Sequence, residues 1–300
     1  SLWETAGENL SIYTWGNGGN ALGQIAVIQN TNDVILTNTE QITGFEVGEV
    51  LTASANDGSD VTHTQRTGSA TITAVNRSTG LITLSTVAGI TSLAAGDYLF
   101  RQSDFFGDQG IVVIKGVQAF IAPTDAPPAL WGITAATRAT DPQRFAGCRV
   151  PSAIVQGRTY EERIKLLCAY MSGRFKAKMP TAGWMHPEDF QVLETLMTSR
   201  GVRPLDKGNA EFGFESITIR TGSGKIEIYS DRHCPKGKFF AFRMEDWWIS
   251  SMGKLMRPND QDGAGEILRK YNSTDYEFRL ISYPLLANRA PKNSGWVSLL

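Results

Sequence analysis

The stretch at residues 226–244, IEIYSDRHCPKGKFFAFRM, places two strand-like patterns on either side of a polar corner. Apolar residues alternate with polar ones before the corner, and a phenylalanine-rich run follows it, which indicates two β-strands. Between them, Arg232, His233 and Cys234 precede Pro235 and Gly237, both of which favour turns. The corner therefore has two interpretations, a metal or catalytic site and the turn of a β-hairpin.

The spacing of possible ligands argues against a metal site at this corner. A zinc site needs about four ligands, and the other two histidines, His63 and His186, lie far away along the chain. Adjacent side chains on an extended strand point to opposite faces, which is poor geometry for a Cys–His dyad. We therefore predict a hairpin corner, with no catalytic residue, no metal ligand and no cofactor.

Two further motifs resemble ligand-binding loops without completing them. TGSGK at residues 221–225 has Ile219 where a phosphate-binding loop requires its first glycine, so we predict a glycine turn between two strands. NDQDGAGE at residues 259–266 would place Pro258 and Arg269 at ligand positions of a calcium loop, and neither side chain supplies an oxygen. No pattern in the sequence predicts an enzyme.

Charge and composition exclude several classes of protein. The 300 residues contain 29 Lys and Arg against 30 Asp and Glu, which argues against a dedicated nucleic-acid binder. No apolar run approaches the roughly 20 residues that a membrane span needs, so no membrane partner is expected. Cys148, Cys168 and Cys234 form no CxxC pair and are expected to be free thiols in a reducing compartment.

The patterns of helix, strand and turn residues divide the sequence into three regions. Residues 1–22 read as the end of a helix followed by a glycine-rich joint. Residues 23–105 hold six short strand-like segments separated by turn clusters, which predicts an inserted β-domain, either a small closed barrel or a sandwich. One hairpin in it has Gly80 at the turn. Residues 106–300 mix helical and strand patterns, so the whole chain is expected to be α+β.

Two helices in the last region carry clear signals at their ends. Thr159 and Glu162 form a capping box before a helix over residues 159–173, whose buried stripe includes Cys168. A second helix is predicted to begin at Pro187 and to close at Gly201.

Several stretches taken in order resemble one known family. They are GWMHPEDFQVLETL at residues 183–196, the strand–corner–strand segment described above with its continuation EDWWISSMG to residue 253, and DYEFRLISYPLLANRAPKNSGWVSL at residues 275–299. In this order they resemble the major capsid proteins of tailed bacteriophages, in members that carry an inserted β-domain. The resemblance implies that family's axial and peripheral domains, with the N-terminal arm, the extended loop and most of the spine helix absent from this chain.

The resemblance also implies a function. Copies of such a protein form the hexamers and pentamers of an icosahedral head that encloses double-stranded DNA through weak, non-specific contact. Scaffold, portal, maturation protease and decoration proteins are the expected further partners, and the protein would assemble in the host bacterial cytoplasm and reside in the virion. Two alternatives stay open. One is an encapsulating nanocompartment or other virion shell protein, and the other is a carbohydrate-binding or adhesive β-module.

A shell protein needs contacts between subunits, and aromatic and arginine side chains favour such contacts. On a strand, one ring of the adjacent pair Trp247 and Trp248 should face the core and the other should face outward. The candidates for contact between subunits are Arg138, Arg174, Lys176, Arg232, Lys236, Trp247 and Trp248.

Overall fold

The computed structural model describes residues 2–59, 64–105, 114–199, 216–258, 267–269 and 276–300. Helix accounts for 29% and strand for 31%, so the predicted α+β class is confirmed. In the described part of the chain no helix is both long and apolar enough to cross a membrane. His63, Gly201 and residues 259–266, which the sequence analysis discussed, lie outside the described residues.

The first unit is a six-stranded closed barrel, which decides between the two predicted β architectures. Its strands follow the order β1-β2-β5-β4-β3-β6 around the barrel. They are β1 (Gly23–Ile28), β2 (Asp33–Leu36), β3 (Val50–Ser54), β4 (Ala70–Asn76), β5 (Leu81–Leu84) and β6 (Tyr98–Arg101). The barrel encloses its own apolar core, which includes Val34, Phe45, Leu51, Ile82 and Leu99. All six strands lie within the predicted segment at residues 23–105.

The ends of the barrel come together, and its predicted hairpin is present. The backbone N–H of Leu22 donates to the carbonyl oxygen of Leu99 at 2.9 Å, so the chain enters and leaves the barrel at one place. Strands β4 and β5 are antiparallel neighbours. Gly80 between them has φ +69°, which a residue with a side chain rarely adopts.

The second unit is built around a six-stranded mixed sheet of order β7-β18-β11-β8-β10-β9. Its strands are β7 (Cys148–Val150), β8 (Ala182–Met185), β9 (Ile217–Thr221), β10 (Gly224–Ser230), β11 (Lys238–Phe242) and β18 (Gly295–Ser298). Strands β9 and β10 form an antiparallel hairpin, which confirms the glycine turn predicted at residues 221–225.

The prediction of a hairpin at residues 231–237 is wrong. Strand β8 lies between β10 and β11, parallel to β10 and antiparallel to β11. The corner therefore crosses over the end of β8 instead of joining two paired strands. Alternation within β10 and β11 cannot reveal this, because an intervening strand from elsewhere in the chain leaves the period of both unchanged.

Helices cover both faces of this sheet. They are α1 (Leu2–Trp15), α2 (Val117–Phe120), α3 (Ala135–Thr140), α4 (Pro142–Ala146), α5 (Ser152–Val155), α6 (Tyr160–Gly173) and α7 (Pro187–Ser199). The capping box of α6, the start of α7 at Pro187 and the burial of Cys168 are as predicted. Apolar residues of α6 and α7 cover one face, where Ile219, Ile226 and Ile228 are buried.

Aromatic residues fill the other face. Trp15 of α1 packs against Phe240 and Phe242 of β11, with ring centroids 5.4 and 6.0 Å apart. Phe120 of α2 and Trp296 of β18 complete this cluster. Helix α1, which leads into the barrel, is thereby fixed to the sheet.

Three antiparallel strand pairs follow β11 along the chain, each nested in sequence within the one before. The pairs are β12 (Trp247–Ser251) with β17 (Pro284–Asn288), β13 (Arg257–Pro258) with β16 (Leu280–Ile281), and β14 (Ile267–Arg269) with β15 (Tyr276–Phe278). We call this element the ribbon.

Candidate interaction surfaces

The corner at residues 231–237 has no feature of a reactive site. Cys234 is buried, and burial raises the pKa of its thiol well above the ordinary value, so no thiolate forms there. Asp231 is engaged by structure, since its Oδ1 accepts from the backbone N–H of His233 at 2.8 Å and its Oδ2 from Trp15 Nε1 at 3.0 Å. The described residues include no group of three or more His, Cys, Asp or Glu that could hold a metal ion.

His233 serves as a neutral acceptor. Its Nε2 accepts a hydrogen bond from Arg232 Nε at 3.3 Å. Burial lowers the pKa of His233 and the charge of Arg232 lowers it further, and together they outweigh the carboxylates of Asp231 and Glu8. The imidazole is therefore uncharged at neutral pH.

The corner instead joins helices to the sheet. The N–H of Gly237 donates to Asp189 Oδ2 of α7 at 2.7 Å. Lys236 pairs with Glu188 of the same helix, and Arg232 pairs with Glu8 of α1. Both cations remain partly exposed and line a cleft of about 600 Å³ between the barrel and the sheet. Arg232 and Lys236, two predicted subunit contacts, are thus already engaged within the chain.

The other two cysteines are also inert. Burial raises the pKa of Cys148 and of Cys168 to about 12. The Sγ of Cys148 donates to the carbonyl oxygen of Lys292 at 3.0 Å. All three thiols are free and buried.

Arg138 does not fit its prediction as a subunit contact. It is 1% exposed, and its guanidinium donates to the carbonyl oxygens of Ala119 at 2.7 Å and Phe145 at 3.3 Å, and to that of Pro128. Burial lowers its pKa. We correct the assignment: the buried guanidinium donates to three carbonyl oxygens of its own chain, and so connects the segments around α2, α3 and α4. It is not accessible to a neighbouring subunit.

Of the adjacent tryptophans, one ring faces the core and the other faces outward, as predicted. Trp247 packs edge-on against Phe120 and Phe242, each with centroids 5.4 Å away, and its Nε1 donates to Ser294 Oγ at 2.8 Å. Trp248 points outward and is 46% exposed. Only Trp248 of this pair is available to a partner.

Trp248 belongs to a larger apolar surface on the ribbon. Ser250 pairs with Leu285 and lies two residues from Trp248, so Trp248 and Leu285 share one face. We define the ribbon surface by four exposed side chains with their exposed fractions: Trp248 46%, Met252 75%, Tyr283 47% and Leu285 46%. Ile249 is also exposed, but it pairs with Leu286 and lies on the opposite face of the strand pair. Grouped exposure of this kind marks an interaction site in soluble proteins.

The ribbon also presents unpaired strand edges. Strands β12 and β17 pair with each other and, in the described part of the chain, with no third strand. Such edges carry backbone N–H and C=O groups that can pair with another chain. Sequence reasoning singled out Trp248 and missed Leu285, because only the pairing of β12 with β17 brings these two side chains to one face. It also missed Met252, which lies four residues after Trp248.

Arg174 and Lys176 lie in an exposed loop after α6. The Arg174 guanidinium stacks over the ring of Tyr170, 4.1 Å from its centroid. Lys176 has φ +49°, an uncommon conformation for a residue other than glycine. Both are placed where a partner could reach them.

Comparison with models of known protein families finds no match, and comparison with curated proteins finds none either.

Proposed function

We propose that this chain is a structural shell subunit, a major capsid protein of the tailed-phage type that assembles with copies of itself into an icosahedral head around double-stranded DNA. The ribbon surface carries the proposal. It unites large exposed apolar side chains with open strand edges, and a surface of this kind is stabilised when a partner removes it from water.

The occupant we propose for the ribbon surface is a second copy of the chain. The formal net charge is −1, so copies approach one another without strong mutual repulsion. An open edge of one ribbon can pair with another strand, and the rings of Trp248 and Tyr283 supply the aromatic area that interfaces favour. Repeated contacts of this type would build hexamers and pentamers.

The ordered resemblance of residues 183–196, 226–253 and 275–299 to tailed-phage capsid proteins supports the specific class. Under this proposal the sheet and the ribbon belong to the axial and peripheral domains, and the barrel is an insertion. Scaffold, portal, maturation protease and decoration proteins are the proposed further partners, and the virion is the proposed location. The role is structural, consistent with the three buried thiols.

Electron microscopy in negative stain, with light scattering on the same sample, tests the proposal. We expect uniform shells several tens of nanometres across, and their loss in the double variant Trp248→Thr/Leu285→Thr. Val47→Thr, which removes an exposed apolar side chain from the barrel, is the matched control and should assemble normally. Far-ultraviolet circular dichroism checks that each variant is folded. A wild-type monomer, or a double variant that assembles like the control, would overturn the proposal.

The two alternatives differ in what the protein encloses or binds. A nanocompartment would hold protein cargo, so shells that purify with protein and exclude DNA favour it. A glycan-binding module would use the exposed ring of Trp248, and it would bind immobilised oligosaccharides as a small oligomer.

A further inference from the structure

The small net charge of the chain conceals an uneven distribution. Residues 1–105, which contain the barrel, hold 10 acidic and 3 basic residues, whereas residues 106–300 hold 20 acidic and 26 basic ones. The two parts therefore carry formal charges of −7 and +6, which together give the −1 of the whole chain. A partner with a strong negative charge would distinguish between them.

Part of the positive charge gathers where the loop after α6 meets the β9–β10 turn. Ser172 and Ser223 join the two segments through a 2.9 Å hydrogen bond between their hydroxyl oxygens. A Cβ on Gly224 would lie 3.3 Å from Met179 Cγ, so the turn packs closely on the loop. We define the basic edge by the exposed cations of these segments: Arg174, Lys176, Lys178, Arg220 and Lys225.

The cations of the basic edge are poorly compensated. Among the described residues, Arg174, Lys176, Lys178 and Arg220 form no ion pair with a carboxylate, and Lys225 Nζ lies 3.4 Å from Glu227 Oε1. The charge of Lys178 contributes to lowering the pKa of Glu245, but Glu245 forms its ion pair with Arg243 and not with Lys178.

Two of the cations directly oppose each other. Arg220 and Lys225 are cross-strand partners in the β9–β10 register, and both side chains are exposed on the same face. Like charges at such a pair are destabilising. An anionic partner would offset this cost.

The basic edge lies at the opposite end of β10 from the barrel. Strand β10 begins at Gly224, beside the turn, and ends at Ser230, beside the corner. At the corner, the hydrogen bond to Glu188 raises the pKa of Lys236 against the lowering effect of burial, and the charges of Glu188 and of Glu40 in the barrel raise it further. Seven residues at about 3.3 Å each separate the two ends by roughly 20 Å.

From this arrangement we infer that the basic edge binds the phosphate backbone of duplex DNA, with the acidic barrel directed away from it. The inference rests on the proposed function, because it assumes that the protein forms a shell around DNA and assigns the basic edge to the inner side of that shell. Duplex DNA suits the edge because its phosphates form a regular dense array, and each phosphate neutralised by Lys or Arg releases a counterion. A few such contacts per subunit give weak binding that strengthens over many copies.

Fluorescence anisotropy with a labelled duplex of about 30 base pairs tests the inference over a series of salt concentrations. The full chain is used, together with the Trp248→Thr/Leu285→Thr variant that keeps copies apart. Three to five phosphate contacts predict a slope of log K against log salt of about −3 to −4.5. Lys176→Gln/Lys225→Gln should make this slope shallower by about 2 and weaken binding.

Lys254→Gln/Arg158→Gln is the control, because it removes the same charge at exposed positions outside the basic edge. The control should retain the wild-type slope. A control that loses as much as the test variant, the absence of salt-dependent binding, or equal binding of polyglutamate or anionic vesicles would each overturn the inference. If shells form but the protein does not bind DNA, the inference is overturned and the proposed function stands. If the protein binds DNA through the basic edge but forms no shells, the proposed function is overturned and the assignment of DNA binding to this edge stands.

Discussion

Asp246 Oδ1 accepts a hydrogen bond from Arg289 Nε at 2.8 Å, and this contact closes the base of the ribbon. Asp246 directly precedes β12, and Arg289 directly follows β17. Asp246 Oδ2 accepts from Asn293 Nδ2 at 2.7 Å. Burial alone would raise the pKa of Asp246, but the hydrogen bonds from Asn293 and Arg289 and the nearby positive charge hold it below the ordinary value.

Asp246→Asn should destabilise the protein by about 1–3 kcal/mol, because an amide presents donors to the donors of Arg289 and Asn293 in a buried position. Urea unfolding measures the change. Glu245→Gln is the control, since its partly exposed pair with Arg243 contributes about 0–1 kcal/mol. Equal effects of the two substitutions would show that Asp246 does not secure the ribbon.

Gly183→Ala should cost about 1–3 kcal/mol or prevent folding, because overpacking forces shifts in a closed core. A Cβ at residue 183 would lie 2.3 Å from Cζ of the fully buried Phe239 on the neighbouring strand. Gly173→Ala, at the end of α6 with no atom within 4 Å of the new Cβ, should be neutral or slightly stabilising. Thermal unfolding of the two variants provides the comparison, and a Gly183→Ala variant as stable as wild type would contradict it.

Replacement of residues 24–104 by a short Gly/Ser linker should leave the sheet unit folded. The barrel has its own core, and the hydrogen bond between Leu22 and Leu99 shows that the gap to be bridged is small. The deletion loses the contact of Tyr13 with Asp104, so some stability should be lost. Cooperative unfolding in urea is the expected result, and a gradual transition would show that the barrel is required for the rest of the fold.

Stability should decrease as the pH falls from 7 toward 5, because of His233. Its folded-state pKa lies below the ordinary value of about 6.5, so the unfolded chain takes up the proton first as the pH falls. This uptake lowers the free energy of unfolding, and the decrease is complete once the pH is below the folded-state pKa. His233→Gln should reduce the difference between urea midpoints at pH 7.5 and 5.5. Arg232→Gln should reduce it partly, since it removes one of the two causes of the shift. Unchanged pH dependence in His233→Gln would contradict this assignment.

Local signals in the sequence were sufficient where neighbouring residues determine the structure. Gly80 marked its hairpin, Thr159 and Glu162 marked a helix start, and the short alternating segments marked every strand of the barrel. In each case the turn residue, the capping pair or the alternation of a single segment lies within a few residues, so the local pattern contains the answer.

The errors occurred where distant segments meet. The corner at residues 231–237 looked like a hairpin because nothing near it reveals that β8 enters between its flanking strands. Arg138 looked like a surface cation, because its three carbonyl partners, Ala119, Pro128 and Phe145, lie outside its own helix and leave no periodic signal near it. The ribbon surface depends on the pairing of Trp248 with residues more than 30 positions later, and the sequence pattern near Trp248 does not contain that information.

The position of β18 in the sheet has a consequence for biosynthesis. This strand, residues 295–298, lies between the edge strand β7 and β11, so β7 has no strand partner in the described sheet until those residues have been made. The barrel, in contrast, uses only contiguous residues 23–101 and can close while the ribosome is still translating the rest. We therefore expect a growing chain that carries a finished barrel on an unfinished sheet until translation has passed β18.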